Sequence, residues 1–370
     1  MDILSREVLA EMPNRKLNLS WEEFKSLRPS EKAEYLQDRK GRIQRLVYTQ
    51  QINRQLFEQL VALAEYVQET SSDVEGSRYL KTLLANRSCG LYFPQCSTRT
   101  FTSFSLAAQS LGMMIQEIRD KELSAMYKGE SELDTLLTLA NLADVIILRH
   151  MSVELTDMFT YELLCRGLDT LVINGGSGSD QHPTQALLEL YTLVSHLDMM
   201  SKDRTFVLAM VGDLKRSRTA RSLSYLLALY PNVAQVFVAP DELQMAEDIL
   251  DYLDEHSVGY YSTDSLDSIL EKADALYIMR IQDEYSATSE ELRQKYGEYA
   301  LTVEKVKRTK PEACIIHPLP RRQEIPVEVD YDARAKYWEA VSRGKHLRVG
   351  LLLHMFGLDD IEKLKAKAYP

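Results

Sequence analysis

Three hydroxyl residues and a guanidinium stand together at Ser97-Thr98-Arg99-Thr100, just after the apolar run 89–93. Where a strand ends and a helix begins, the free N–H groups of the first helical turn bind anions. Hydroxyls and an arginine add donors suited to a phosphate. The same residue types are ordinary N-caps, so a capped helix is the alternative at this point. Arg149 and His150 close a second apolar run, 144–148, and should emerge at its carboxyl end; an ion pair with a surface acid would account for the arginine equally well. His182-Pro183-Thr184-Gln185 opens a helix after the Gly- and Ser-rich turn 175–180, and a lone histidine there is either a satisfied structural group or a chemical one. Gly212-Asp213-Leu214-Lys215-Arg216-Ser217-Arg218-Thr219 ends the run 206–211. It lacks the G-x-G-x-x-G spacing of a dinucleotide loop, and its basic residues would form a nucleic-acid patch only with support from elsewhere in the chain. Arg280-Ile281-Gln282 follows the run 275–279, and Lys128 lies in a polar stretch, 123–131, that reads as a loop carrying a solvated lysine.

The elements that must position these groups are short. Unalternating apolar runs recur at 89–93, 144–148, 171–174, 206–211, 234–238, 275–279 and 314–317. Such runs fit parallel strands covered on both faces. Helical periodicity fills the intervals, as in Phe101, Phe104, Ala108 and Leu111. Strand alternating with helix predicts an α/β fold of two doubly wound parallel-sheet domains, in which ligands bind at the carboxyl ends of strands. The boundary falls inside the helix beginning near Gln185, and an active-site cleft between the domains is expected. The first 45 or so residues, with Trp21, Phe24 and Leu27 at helical spacing, read as a helical N-terminal extension.

Composition narrows the class. At 370 residues, 45% apolar and 27% charged, the chain has the make-up of a globular protein of two domains. A net charge of −11 argues against a general nucleic-acid binder, so any phosphate must be held by local basic spots. No stretch reaches the roughly 20 apolar residues of a membrane helix, and no membrane partner is expected. The four cysteines, Cys89, Cys96, Cys165 and Cys314, form no C-x-x-C pair, which fits reduced thiols in a cytoplasmic protein and no structural zinc.

Read in order, the motifs resemble those of the aspartate/ornithine carbamoyltransferases: Ser97-Thr98-Arg99-Thr100, Ser124-x-x-x-Lys128-Gly129-Glu130, Leu148-Arg149-His150, His182-Pro183-Thr184-Gln185-Ala186-Leu187, Gly212-Asp213-Leu214-Lys215-x-x-Arg218-Thr219, and His317-Pro318-Leu319-Pro320-Arg321. The likeness spans about residues 46–365. It implies a carbamoyl-phosphate-binding domain at 46–190, with a C-terminal helix, 340–370, packing back on it, and an acceptor-binding domain at 191–339. By this resemblance Ser97, Thr98, Arg99, Thr100, Arg149, His182, Gln185 and Leu319 bind carbamoyl phosphate. Arg99, Thr100, Arg149 and His182 take part in catalysis; His182 donates to the carbamoyl oxygen and Gln185 binds the NH2. Lys128, Arg218, Arg280, Gln282 and Pro320 hold the acceptor. The family's pattern also implies a homotrimer in which Ser124 and Lys128 serve the neighbouring subunit's site. A regulatory subunit or larger assembly is compatible with it, and neither metal nor organic cofactor is implied. His150 receives no part.

The acceptor is decided by Arg280-Ile281-Gln282 and His317-Pro318-Leu319-Pro320, which stand where ornithine-type members resemble S-M-G and H-C-L-P. Arginines grip a dicarboxylate and would repel a cationic side chain, so aspartate is expected, and with it the committed step of pyrimidine synthesis. A different amine acceptor and a non-catalytic homologue within an assembly are the competing readings. Three positions depart from the pattern: Gln95 replaces an acid, Phe101 an arginine and Tyr285 a basic residue. The expected acid–arginine pairing that holds the domains closed is thereby lost, and closure is left to other contacts.

Overall fold

The computed structural model describes residues 17–95, 97–119, 129–199, 203–280 and 297–368. The chain divides into two compact units, residues 1–184 with 344–370 and residues 185–343. It passes between them inside two helices, Pro183–His196 and Tyr337–Met355.

The first unit is built on five parallel strands: β1 (Arg45–Leu46), β2 (Ser88–Tyr92), β3 (Met114–Ile118), β4 (Val145–His150) and β5 (Leu171–Ser177), ordered β1-β5-β4-β2-β3. The second repeats the plan with β6 (Phe206–Val211), β7 (Val233–Val238), β8 (Tyr260–Thr263), β9 (Ala275–Ile278) and β10 (Cys314–Ile316), ordered β10-β9-β6-β7-β8. In each sheet the chain first winds one way and then crosses back. The reversal falls between β2 and β4 in one unit and between β6 and β9 in the other. The α/β architecture of two parallel sheets agrees with the sequence pattern. Three strands escaped it: β1 is two residues long, while β3 and β8 are edge strands with largely uncovered side chains, so neither shows an apolar run.

Both reversal pairs are clamped at their amino ends by an aspartate. Asp144, just before β4, accepts from the Ser88 N–H of β2 at 2.7 Å, the Ser88 hydroxyl at 2.8 Å and Arg87 at 3.0 Å. Asp274, just before β9, accepts from the Val207 N–H of β6 at 2.8 Å, Arg204 at 3.1 Å and Lys310 at 2.7 Å. Burial raises the pKa of the Asp144 carboxyl, but its hydrogen bonds to Ser88 and Arg87 outweigh that and leave it below the ordinary value.

Residues 344–368 belong to the first unit and pack within it. Arg348 donates to Ser103 at 2.9 Å and stacks on Phe104, and a Cβ on Gly350 would lie 3.0 Å from the Leu63 Cβ. Toward the amino end, helix Trp21–Ser26 is fixed by a Ser20–Glu23 capping box. Phe24, fully buried, meets Tyr161 and Tyr35 at ring distances of 5.6 and 6.4 Å. Lys32, 5% exposed, pairs with Asp157 at 2.8 Å. Removing the central aromatic with Phe24→Ala should weaken this docking by roughly 3–5 kcal/mol. Limited proteolysis should then cut the variant between residues 17 and 45 while the remainder resists; unchanged protection there would contradict the packing argument.

Candidate active site

The three loops that leave β2, β4 and β5 emerge side by side at one sheet edge. After β2, Ser97 occupies the N-cap of helix Thr98–Ser110 with an extended backbone, yet its hydroxyl makes no capping bond. The first-turn N–H groups are thus not taken by that side chain, which favours the anion site over the capped helix. Thr98 and Arg99 face outward and Thr100 inward. The Thr100 hydroxyl lies 3.3 Å from the His182 Nε2, joining residues 82 apart in sequence. The turn before His182 is pinned through Gln181, whose amide accepts from the Thr49 N–H at 2.6 Å and donates to Gln50 at 2.9 Å.

Arg149 is aimed by a break in register between Leu148 and His150 on β4. A bulge of this kind redirects a side chain. Its Nη1 donates to the Gly175 carbonyl at 3.1 Å. His150 is structural: its Nδ1 accepts the Ser152 N–H at 2.9 Å, so in the neutral ring Nε2 carries the proton, toward Glu132 at 3.1 Å.

The second unit repeats this arrangement. His317, just after β10, accepts the Leu319 N–H on Nδ1 at 2.7 Å and directs Nε2 to Glu324 at 2.9 Å. Burial raises the pKa of Glu324, but the His317 and backbone hydrogen bonds prevail and it lies below the usual carboxylate value. Leu319 has φ +54° and precedes a cis bond to Pro320. A positive φ is costly for a residue of its bulk, so the His317 bond holds a turn the chain would otherwise avoid.

At the end of β6, Gly212 has φ +121°, and a Cβ there would lie 2.4 Å from the Met279 carbonyl oxygen. Only glycine permits this approach, which makes the turn 212–219 abut the end of β9. Ser217 caps the helix Arg218–Leu227 and also reaches the Met279 sulfur at 3.1 Å. The turns carrying Arg218 and Arg280 are therefore neighbours. Buried Asp213 accepts from the Arg216 backbone N–H at 3.2 Å and lies 3.6 Å from the Arg216 guanidinium, and Arg221 pairs with Asp248 at 2.9 Å. With Arg216 and Arg221 so engaged, a nucleic-acid patch gains no support. Ser124, Lys128, Gln282 and Tyr285 lie outside the described residues.

Sequence reasoning passed over one group. Glu189, 1% exposed, is the sole acid of helix Pro183–His196. Its Oε1 accepts from the Gln185 amide at 2.8 Å and from the Tyr277 hydroxyl at 2.6 Å, while its buried Oε2 has no hydrogen-bond partner among the described residues. The available signal was an acid one helical turn after Gln185 in an apolar run. Burial pushes this carboxyl up to about 8, against the pull of its two hydrogen bonds. Burial and the neighbouring Glu189 also raise the Tyr277 phenol.

The folded chain therefore keeps Glu189 protonated where the unfolded chain, with its ordinary 4.5, has ionised it. The resulting stability is complete below about 4.5 and is lost as pH rises toward 8, by up to about 1.4 kcal/mol per pH unit. Glu189→Gln removes this titration. Between about pH 5 and 8 the wild-type unfolding midpoint should fall relative to the variant's; parallel curves would show that the carboxyl is not held neutral.

Residues 44–195 match the carbamoyl-P binding domain, and residues 205–355 the Asp/Orn binding domain, of the aspartate/ornithine carbamoyltransferases. The aspartate carbamoyltransferase catalytic subunit of Methanocaldococcus jannaschii is 35% identical over 295 residues, covering 80% of this chain and 93% of that one. Its solved structure aligns with a TM-score of 0.74 at 32% identity, over 85% of this chain and 98% of that one. Aspartate transcarbamoylase from Trypanosoma cruzi, in complex with N-(phosphonacetyl)-L-aspartic acid, aligns with a TM-score of 0.73 at 30% identity, over 84% and 94% respectively. The chain belongs to the aspartate/ornithine carbamoyltransferase family.

Proposed function

We propose that the chain transfers the carbamoyl group of carbamoyl phosphate to the α-amine of L-aspartate, giving N-carbamoyl-L-aspartate and phosphate. The observation that carries this reading is the meeting of Thr100 and His182 at 3.3 Å, beside a helix start whose N-cap hydroxyl is not spent on capping. Ser97, Thr98, Arg99 and Thr100 bind the phosphate and set it in line as leaving group. The uncharged amine attacks the carbonyl carbon, and its new C–N bond forms as the carbonyl oxygen gains charge. Thr100, Arg149 and His182 stabilise that oxyanion; one such donor is typically worth roughly 3–4 kcal/mol. The C–O bond to phosphate then breaks, and the amine proton leaves toward the departing phosphate or solvent. Arg218, Arg280 and Gln282 orient the two carboxylates of aspartate, and the carbonyls of Leu319 and Pro320 accept from the amines. Phosphate is already a good leaving group, so positioning does most of the work.

The working form in this reading is a homotrimer in which Ser124 and Lys128 reach the neighbour's site, in the cytoplasm and in pyrimidine synthesis. The family's pattern at those two residues supports the sharing of sites between subunits.

Phosphate release should appear with carbamoyl phosphate and aspartate and not with other amines in a panel of amino acids; turnover of a different amine alone would sink the acceptor assignment. Arg99→Ala should lose at least about 100-fold in kcat/KM, as expected for one charged donor at the reacting centre. If sites are shared, Arg99→Ala and Lys128→Ala, each nearly inactive alone, should regain activity when their subunits are exchanged. Failure of exchanged mixtures to recover would argue for self-contained sites.

A further inference from the structure

Gln185 can bind a carbamoyl group in two ways that differ by a half-turn of its amide. With the carbonyl oxygen outward it accepts from an NH2; with the nitrogen outward it faces that NH2 with another donor. The side chain of Gln185 is only partly covered, so packing does not decide between them. Its nitrogen donates to the Glu189 Oε1 at 2.8 Å, and its own Oε1 makes no hydrogen bond among the described residues. That Glu189 oxygen is itself held from the other side by the Tyr277 hydroxyl at 2.6 Å, on β9. An oxygen fixed by two donors remains an acceptor, and it can engage Gln185 only through the nitrogen.

We propose that Glu189 is a positioning residue which sets donor-substrate selectivity by locking the Gln185 amide with its oxygen toward the substrate. The inference rests on the reading that Gln185 meets the carbamoyl NH2. The group selected is then a carbamoyl rather than an acyl phosphate. Acetyl phosphate has nearly the same shape but carries a methyl in place of the NH2, and it would leave the Gln185 oxygen facing carbon. A site built to hydrogen-bond a group rejects the analogue lacking it far more strongly than shape alone allows. Burial, which favours the neutral carboxyl, leaves Glu189 without a charge that could draw in other donors.

The experiment compares kcat/KM for carbamoyl and acetyl phosphate, with aspartate as acceptor, in the full-length protein. In Glu189→Leu the Gln185 amide is free to turn, and the carbamoyl-to-acetyl ratio should fall at least about tenfold, through the carbamoyl value alone. The KM for aspartate should stay as in wild type. Glu189→Gln keeps an acceptor oxygen in place of Oε1 and should restore the ratio. Tyr277→Phe, a milder change to the fold, should move it partway. Parallel loss for both substrates, or an intact ratio in Glu189→Leu and Tyr277→Phe, would overturn the proposal and leave Glu189 as packing. Gln185→Leu separates the two layers: a wild-type ratio there would mean that Gln185 does not touch the carbamoyl NH2, so the underlying reading fails. A collapsed ratio there with an intact one in Glu189→Leu would sink the positioning role alone.

Discussion

Two pairs of neighbouring parallel strands, β2 with β4 and β6 with β9, govern where the segment 97–100, Arg149, Arg218 and Arg280 can stand, because the order in which the chain winds reverses across each pair. At such a reversal the loops from adjacent strands turn away from one another and open a crevice at the carboxyl edge. The segment 97–100 leaves β2 and Arg149 lies at the end of β4; the turn of Arg218 leaves β6 and Arg280 follows β9. At the opposite edge the same pairs are held together by Asp144 and Asp274, each bonded to the partner strand's backbone N–H. Loss of such donors is costly for buried Asp274 and for half-buried Asp144, so each clamp makes the strand pair rigid at its foot. The divergence at the top is then fixed by strand geometry rather than by loop packing.

The second recurring device concerns histidine. His150 and His317 each end a strand region, take the N–H of the residue two positions on, and hand the other ring nitrogen to a glutamate. Both therefore stiffen turns, the first beside Arg149 and the second at the Leu319-Pro320 backbone. His182 differs in kind, since its Nε2 meets a hydroxyl on another element. Three histidines at strand and loop ends thus separate into two that shape the backbone of their own turn and one that joins two elements. The separation follows from their hydrogen-bond partners and not from their exposure, since all three are buried.

Much of this organisation is legible in the sequence, because a strand covered on both faces must be apolar throughout. Runs such as 206–211 and 275–279 mark the central strands almost residue for residue. The same logic hides the edges: Met114–Ile118 and Tyr260–Thr263 are mostly uncovered, and their polar residues carry no signal of burial. Site residues that follow a central strand are readable for the same reason. Those that act by holding another side chain are not. Glu132 and Glu324 lie 18 and 7 residues from the histidines they engage, and no spacing rule joins them. Glu189 is nearer to readable, since a helix places it one turn from Gln185, but Tyr277 is 88 residues away.

The departures from the family's motif illustrate how a sequence change can relocate a physical role. Phe101 stands where an arginine is usual, directly after the segment 97–100. It is buried, with its ring edge-on to Phe93 at 5.4 Å, so it fastens the first turn of the helix to the end of β2. The guanidinium of Arg119, just past β3, lies 4.2 Å from the centre of the same ring. A cation against an aromatic face is stabilised by the ring's quadrupole. Positive charge near the start of that helix is thus supplied from the adjacent strand, while position 101 is given over to packing. The segment 97–100 therefore rests on an aromatic contact and a stacked cation instead of on its own neighbouring charge, and its geometry is coupled to β3, the edge strand that carries no apolar signature of its own.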